Sequence, residues 1–519
     1  MATFHDQLRA NEKYHHPAVI SPGGAELSYS EYSQAILAFQ TELSRLGLGP
    51  NSAVSISLPN GLEFAVAFVA TTFSSYIAAP LNPGYKESEF EFFIDDMKSA
   101  IVLVPEGSVD SGYPAVAAAR KQGAGIVEVG WKGKIATFTL KESGTRLKPH
   151  LATNQVPLPP KPQTTAFVLH TSGTTGRPKA VPLTHGNMAA TVSNIIKTYS
   201  LATTDVSYLV MPLFHVHGLL CGFLAQLGAG GTVVVPPKFS AHTFWQDFTK
   251  YKCNWYTAVP TIHQILLKSP KPSPIPQIRF IRSCSSALAP SVLREIEETF
   301  KAPVVEAYAM TEACHQMTSN NLPPGKRKPG TVGVGQGIEV VILDPKDNIL
   351  PKGQEGEISV KGSNVTPGYL NNPKANKESF TSNGYFRTGD QGKLDEDGFV
   401  IITGRIKELI NRGGEKISPI ELDGAMLSHP AVAEAVAFGA PDEMYGQQVN
   451  AAIVLKPGKE KTSQKDIQDF LADKLSKFKI PQKIFFTDVM PKTATGKIQR
   501  RNIAAKFLEE EKNKPRSKL

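Results

Sequence analysis

Short apolar runs that recur among helix-patterned segments constrain this chain more than any other feature. Residues 166–169, 208–211, 232–235 and 279–281 are apolar and short, and 291–300 carries helical spacing. Alternation of this kind predicts an α/β fold of layered sheets and helices. With 519 residues, 41% of them hydrophobic, the chain can bury a large core and still hold a cleft between domains. The pattern changes near 403–408, shortly after turn-forming residues 395–398. Beyond that point, 433–438, 451–455 and 483–487 read as strands and 463–475 as a helix. The expected organisation is a large N-terminal domain over 1–406 and a small α+β domain over 407–519. The most apolar stretch, 64–81, is broken by Thr71, Thr72, Ser74, Ser75 and Tyr76. It predicts a buried helix, with Asn60 as its N-cap, and no integral membrane segment.

Charge and termini narrow the classes of partner. The formal net charge is +9, and from Gly404 onward 21 Lys+Arg face 15 Asp+Glu, so +6 of it lies there. A polyphosphate ligand docking on the small domain accounts for such an excess; a nucleic acid and an anionic membrane surface are the other partners it allows. No basic stripe with interleaved aromatics supports RNA binding as the main role. Cys221, Cys253, Cys284 and Cys314 form no CxxC pair, which argues for a reducing compartment and against a zinc site. The chain ends in Ser517-Lys518-Leu519, a tripeptide read by the peroxisomal import receptor. The expected location is therefore the peroxisome, in its matrix or peripheral to its membrane.

Directly after the strand at 166–169 comes Thr171-Ser172-Gly173-Thr174-Thr175-Gly176-Arg177-Pro178-Lys179. Gly173 and Gly176 allow close backbone approach, and hydroxyls, amides and one lysine make a cradle for phosphate oxygens. The spacing is not GxxxxGK[ST], so this is a different phosphate loop. Further along, Tyr308 offers an aromatic face for a base, and Thr311 and Glu312 offer a hydroxyl and a carboxylate for phosphate and Mg²⁺. Asp390 can accept from two ribose hydroxyls, and Arg405 adds a donor.

These motifs, in this order, resemble the adenylate-forming superfamily, which includes acyl-CoA synthetases. The resemblance implies ATP, Mg²⁺ and coenzyme A as cofactors, and an acyl-adenylate as intermediate. It implies that Thr171, Ser172, Gly173, Thr174, Thr175, Gly176 and Lys179 hold phosphate. Ser285, Ser286 and Ala287 would lie along adenine and the acyl group, with Glu306, Ala307 and Tyr308 beside them. Thr311 would hold phosphate, Glu312 the metal, and Asp390 and Arg405 the ribose. In Pro491–Lys497 the resemblance implies that Lys497 bridges the acid carboxylate and the α-phosphate, a preorganised cation in the transition state. His215 would shape the carboxylate site. Lys407 would be the hinge of a mobile small domain, and Gly413, Gly414, Glu415 and Lys416 would then face coenzyme A.

The acid itself is read at three positions. His217, His315 and Ser285 converge on the expected pocket, where relatives of fatty or aryl specificity carry small or apolar residues. Such donors suit a small polar acid, whereas a fatty chain wants an apolar lining. The longer runs around 308–333 and 404–430 resemble the peroxisomal oxalate–CoA ligases of fungi and plants, which implies oxalate as the acid. A medium-chain or aromatic acid is the alternative within the same chemistry.

Overall fold

The computed structural model describes residues 3–171, 178–492 and 499–512. Ser172, Gly173, Thr174, Thr175, Gly176, Lys497 and the Ser517-Lys518-Leu519 terminus lie outside the described residues. Among the described residues the strands form four sheets. The seven-stranded sheet runs Ile135–Glu142, Gly125–Lys132, Ile101–Pro105, Ala53–Ile56, Ile77–Pro80, Thr165–Thr171, Lys179–Thr184 from edge to edge. Its inner pairs are parallel and its two edge pairs antiparallel. Parallel strands are covered on both faces, which is why Ile101, Val102, Leu103 and Val104 form an unbroken apolar run, all fully buried.

The nine-stranded sheet runs Val334–Gly335, His315–Ser319, Val304–Met310, Phe280–Ser283, Trp255–Ala258, Val206–Tyr208, Thr232–Val234, Pro17–Ile20, Glu26–Ser28. Between these two sheets a common core gathers Val54, Ile56 and Phe167 from the first and Val233 from the second around the helix Leu62–Phe73. Every residue of that helix except Glu63 is buried, as expected of a helix that is apolar all round. Each large apolar side chain so buried contributes about 1.5–3 kcal/mol.

Two expectations for this region need correction. The apolar stretch 64–81 is not one helix: the helix stops at Phe73, Ser75 takes φ 57°, and Ile77–Pro80 is a strand. Asn60 does not cap the helix either. Gly61 is the N-cap residue, without a side-chain bond. The Asn60 amide instead donates to the Met211 carbonyl (3.2 Å) and accepts from the Leu213 amide (2.9 Å), a distant segment that outcompetes the local cap.

An antiparallel sheet of Glu339–Leu343, Gly356–Lys361, Phe386–Leu394 and Val400–Arg405 follows. The short helical turn Ile406–Glu408, with Lys407 exposed, then leads into Ile410–Arg412. That strand belongs to a five-stranded sheet with Glu415–Ile417, Gly446–Leu455, Val432–Asp442 and Lys483–Phe486. The helices Pro419–Leu427 and Gln464–Ala472 pack on it around a separate core that includes Ile410, Leu422, Met426, Ile453 and Ile467. The expected α/β class, with a large sheet-bearing part and a smaller α+β part, is what the chain adopts. All four cysteines are buried and unpaired. Among the described residues no helix is long and apolar enough to cross a membrane.

Candidate active site

The parallel strands Trp255–Ala258, Phe280–Ser283 and Val304–Met310 lie side by side and bring Thr257, Arg282 and Glu306 to one region of the sheet. His217 opens a π-helical segment, His217–Leu224, a form enriched at functional sites. The turn into it is tight. A Cβ on Gly218 would stand 2.2 Å from the Pro212 carbonyl oxygen, so only glycine fits.

His217 is fully buried and its two ring nitrogens are both engaged. Nδ1 lies 3.0 Å from the Ser285 hydroxyl and Nε2 lies 2.6 Å from the Thr257 hydroxyl. The His315 ring stacks on it, with centroids 5.3 Å apart and planes at 24°. Burial, and then the nearby Arg282 charge, hold both rings well below the usual histidine pKa, so both are neutral at pH 7. Ser285 has φ 74° and His315 has φ 97°, a left-handed backbone region where glycine is the comfortable residue. At both positions the chain keeps a polar side chain in a conformation that disfavours one.

A second cluster is built across strands. Asp390 and Arg405 are directly opposed in the antiparallel pair Phe386–Leu394/Val400–Arg405. Arg405 Nε donates to Asp390 Oδ1 at 3.0 Å, and the Tyr308 hydroxyl donates to Asp390 Oδ2. Burial, together with the Asp390 charge, raises the Tyr308 pKa, so the phenol stays neutral. Close by in sequence, Glu312 is buried and accepts from the Tyr369 hydroxyl at 2.9 Å. Burial pushes its pKa up. The Lys179 ammonium sits 4.5 Å from the centre of the Tyr369 ring, which links the end of the phosphate loop to Glu312.

Thr171 and Lys179 are opposed partners of the antiparallel pair Thr165–Thr171/Lys179–Thr184. The candidate phosphate-binding sequence is thus flanked by a strand on each side, unlike the strand–loop–helix setting of the GxxxxGK[ST] type. Thr311 begins the helical turn Thr311–Ala313. His215 is half-buried and accepts from the His217 amide at 3.3 Å. Ser286 and Ala287 are exposed, and Ala307 is buried in its strand. Glu306 is buried and accepts from the Leu288 amide at 3.2 Å, which braces the end of the segment holding Ser285. Burial pushes its pKa up to about 7. Gly413 (φ 60°) and Gly414 (φ 93°) form the two-residue turn between the opposed residues Arg412 and Glu415. A hairpin turn with two positive φ angles is what Gly-Gly favours. Glu415 and Lys416 are exposed beside it.

The structure thus brings His217, Ser285 and His315 into one cluster, and Tyr308, Asp390 and Arg405 into another. Three residues of these clusters escape sequence reasoning: Thr257, Tyr369 and Arg282. Arg282 carried a signal, since a charged residue inside the apolar strand Phe280–Ser283 must be paired or functional.

A groove of about 460 Å³ runs beside the Pro212 segment, lined by Asn60, Met211, Phe214, Thr261 and Lys492 among others.

Comparison with known proteins adds the lineage. The family described as AMP-binding enzyme matches residues 6–370, and the AMP-binding enzyme C-terminal domain matches residues 421–497. The chain is 51% identical to an oxalate–CoA ligase of Saccharomyces cerevisiae, over 99% of this chain and 98% of that protein. It is 48% identical to an oxalate–CoA ligase of Arabidopsis thaliana, over 90% of each. The crystal structure of ATP-bound MatB from Rhodopseudomonas palustris matches with a TM-score of 0.88 at 30% identity, over 98% of this chain and 99% of that one. Matched in both its large and its small part, the chain belongs to the AMP-binding enzyme family.

Proposed function

We propose that this AMP-forming acid–CoA ligase takes oxalate, converting oxalate, ATP and coenzyme A into oxalyl-CoA, AMP and diphosphate through an oxalyl-adenylate. The observation that carries the reading is the buried pair of neutral histidines, His217 and His315, facing a Ser285 hydroxyl. The similarity to two oxalate–CoA ligases supports it. Such a wall suits a small polar acid better than a medium-chain or aromatic one.

In this reading the Thr171–Lys179 loop and Thr311 hold phosphate, and Asp390 and Arg405 hold the ribose, with Tyr308 beside the base. Ser285, Ser286, Ala287, Glu306 and Ala307 shape the adenine side, and His215 shapes the carboxylate site. Glu312 fits a magnesium ion: its carboxylate is buried at an energetic cost that an adjacent cation offsets. Magnesium, when bound, neutralises phosphate charge. Lys497 places its ammonium between the acid carboxylate and the α-phosphate, where negative charge builds. The division of the chain at 406/407 makes Lys407 the hinge, and turning about it carries Lys497 away and the Gly413–Lys416 hairpin towards coenzyme A. Gly413 and Gly414 serve both as turn and as close-packing surface. Ser517-Lys518-Leu519 addresses the enzyme to the peroxisome, where it acts in oxalate degradation.

The test is diphosphate release from ATP and Mg²⁺ with oxalate, malonate, acetate, octanoate or coumarate, each with and without coenzyme A. Release with oxalate and oxalyl-CoA by mass spectrometry is expected. Release with octanoate or coumarate in its place overturns the acid and makes the two histidines structural.

A further inference from the structure

Arg282 is fully buried, yet among the described residues no carboxylate lies within ion-pair distance of it. Its donors go to neutral groups. Nε donates to the Tyr199 hydroxyl at 2.7 Å, Nη1 to the Thr257 hydroxyl at 3.2 Å, and Nη2 to the Gln316 side-chain oxygen at 3.3 Å. A desolvated charge without a counter-charge is costly, and nothing in the packing around it requires one.

What Arg282 does there follows from which groups can donate. A guanidinium only donates, so Thr257 accepts from it. The Thr257 proton is then available for the short 2.6 Å contact with His217 Nε2. Arg282 Nη1 also approaches that nitrogen, at 3.5 Å, and an N–H facing an N–H would be repulsive. Nε2 is therefore the bare nitrogen. A neutral imidazole with a bare Nε2 carries its proton on Nδ1. Nδ1–H then donates to Ser285 Oγ at 3.0 Å, and the serine proton is left free to point into the pocket. The two ends of this chain are fixed by different elements: Thr257 and Arg282 by neighbouring parallel strands, His217 by the π-helical segment.

We infer that Arg282 is a positioning residue for the acid: acting through Thr257 it fixes His217 as the Nδ1–H tautomer and turns the Ser285 hydroxyl into a donor for a carboxylate. The inference rests on the reading that the acid sits against His217, Ser285 and His315, and it adds a reason for the choice of acid. When one carboxylate of a dicarboxylate joins the α-phosphate, the other keeps its negative charge. Arg282 is the charge in the pocket wall that this second carboxylate answers; a monocarboxylate has none left to offer it.

The test compares the full-length enzyme with Thr257→Val, Arg282→Met and Arg282→Lys, with diphosphate release as the readout. Thr257→Val removes the relay hydroxyl and keeps the volume. It is expected to raise the KM for oxalate about tenfold while the KM for ATP holds within about twofold. The preference for oxalate over acetate, as a ratio of kcat/KM, falls by a similar factor. Arg282→Met does the same, and Arg282→Lys, which keeps the charge, restores part of the loss. An unchanged oxalate KM in Thr257→Val, or an equal rise for ATP, overturns the inference. An independent readout needs no variant: imidazole ¹⁵N shifts of His217 in the wild-type enzyme should report Nδ1–H, and an Nε2–H ring overturns the relay. If the wild type turns over another acid and not oxalate, the reading of the acid fails. The relay is then judged by the ¹⁵N shifts and by the same KM split with that acid.

Discussion

Two arginines serve different parts of this enzyme in opposite ways. Arg500, at the start of the helix Arg500–Lys512, is enclosed by carboxylates: Asp423 at 2.8 Å and Glu408 at 3.4 Å. It also donates to the Ala437 carbonyl. Its charge is closed within the protein, and it ties three elements of the small part together: the Ile406–Glu408 turn, the helix Pro419–Leu427 and its own helix. Arg282 is more deeply buried and, among the described residues, meets hydroxyls, an amide oxygen and the His217 ring, with no carboxylate. A closed pair holds a fold together, whereas an open charge holds a place for something that arrives. The trio of Tyr308, Asp390 and Arg405, proposed to hold the ribose, is intermediate in kind: paired yet with lone pairs to spare on Asp390.

The largest effect is expected where the closed pair is opened. Asp423→Asn leaves Arg500 short of a counter-charge and should cost about 3–5 kcal/mol in urea denaturation. A loss near zero would mean that Glu408 alone suffices. Three residues before Arg500 in sequence, Lys497→Ala should lower adenylation about 10²–10³-fold while stability and ATP binding hold, since the substitution leaves Arg500, Asp423 and Glu408 unchanged. Loss of folding in that variant would sink the catalytic role.

Glu306 sharpens the comparison as a buried group with no ion-pair partner among the described residues. Its folded pKa of about 7 lies above its ordinary 4.5, so its contribution to stability is complete below 4.5 and is lost as pH rises through 7. Stability should therefore fall over that window by up to about 1.4 kcal/mol per pH unit, and Glu306→Gln should flatten the slope. An identical slope in that variant would assign the pH dependence elsewhere. The smallest effect is expected at the open charge: Arg282→Met should cost less than about 2 kcal/mol, because the bonds it loses are offset by the charge it no longer buries. A loss equal to that of Asp423→Asn breaks the contrast between the two arginines.

How much of this the sequence carried depends on how local each feature is. Parallel strands such as Thr232–Val234 announce themselves by composition, because burial on both faces favours apolar residues. Helix Pro290–Phe300 does so by spacing. Asn60 misleads because its amide is claimed by Met211 and Leu213, more than 150 residues away in the chain. Gly413 and Gly414 look made for a ligand, and their positive φ angles are equally the demand of a hairpin turn. His217 and His315, proposed to read the acid, stand out in the sequence as departures from an apolar pattern, and the structure stacks their rings. The tautomer of His217 is not legible in the sequence, since it is set by Thr257 and Arg282 on other strands, and only the folded sheet brings those together.

The left-handed backbone at Ser285 and His315 bears on how such a specificity persists. Replacement by glycine relieves that strain, but only at the half-buried Ser285 does it remove so little side chain that the relief favours the fold; at the fully buried His315 it leaves a ring-sized cavity. For most positions in a protein, drift costs stability; at Ser285 drift to glycine gains it. If Ser285 reads the acid as proposed, its hydroxyl is held against the pull of stability by selection for the substrate.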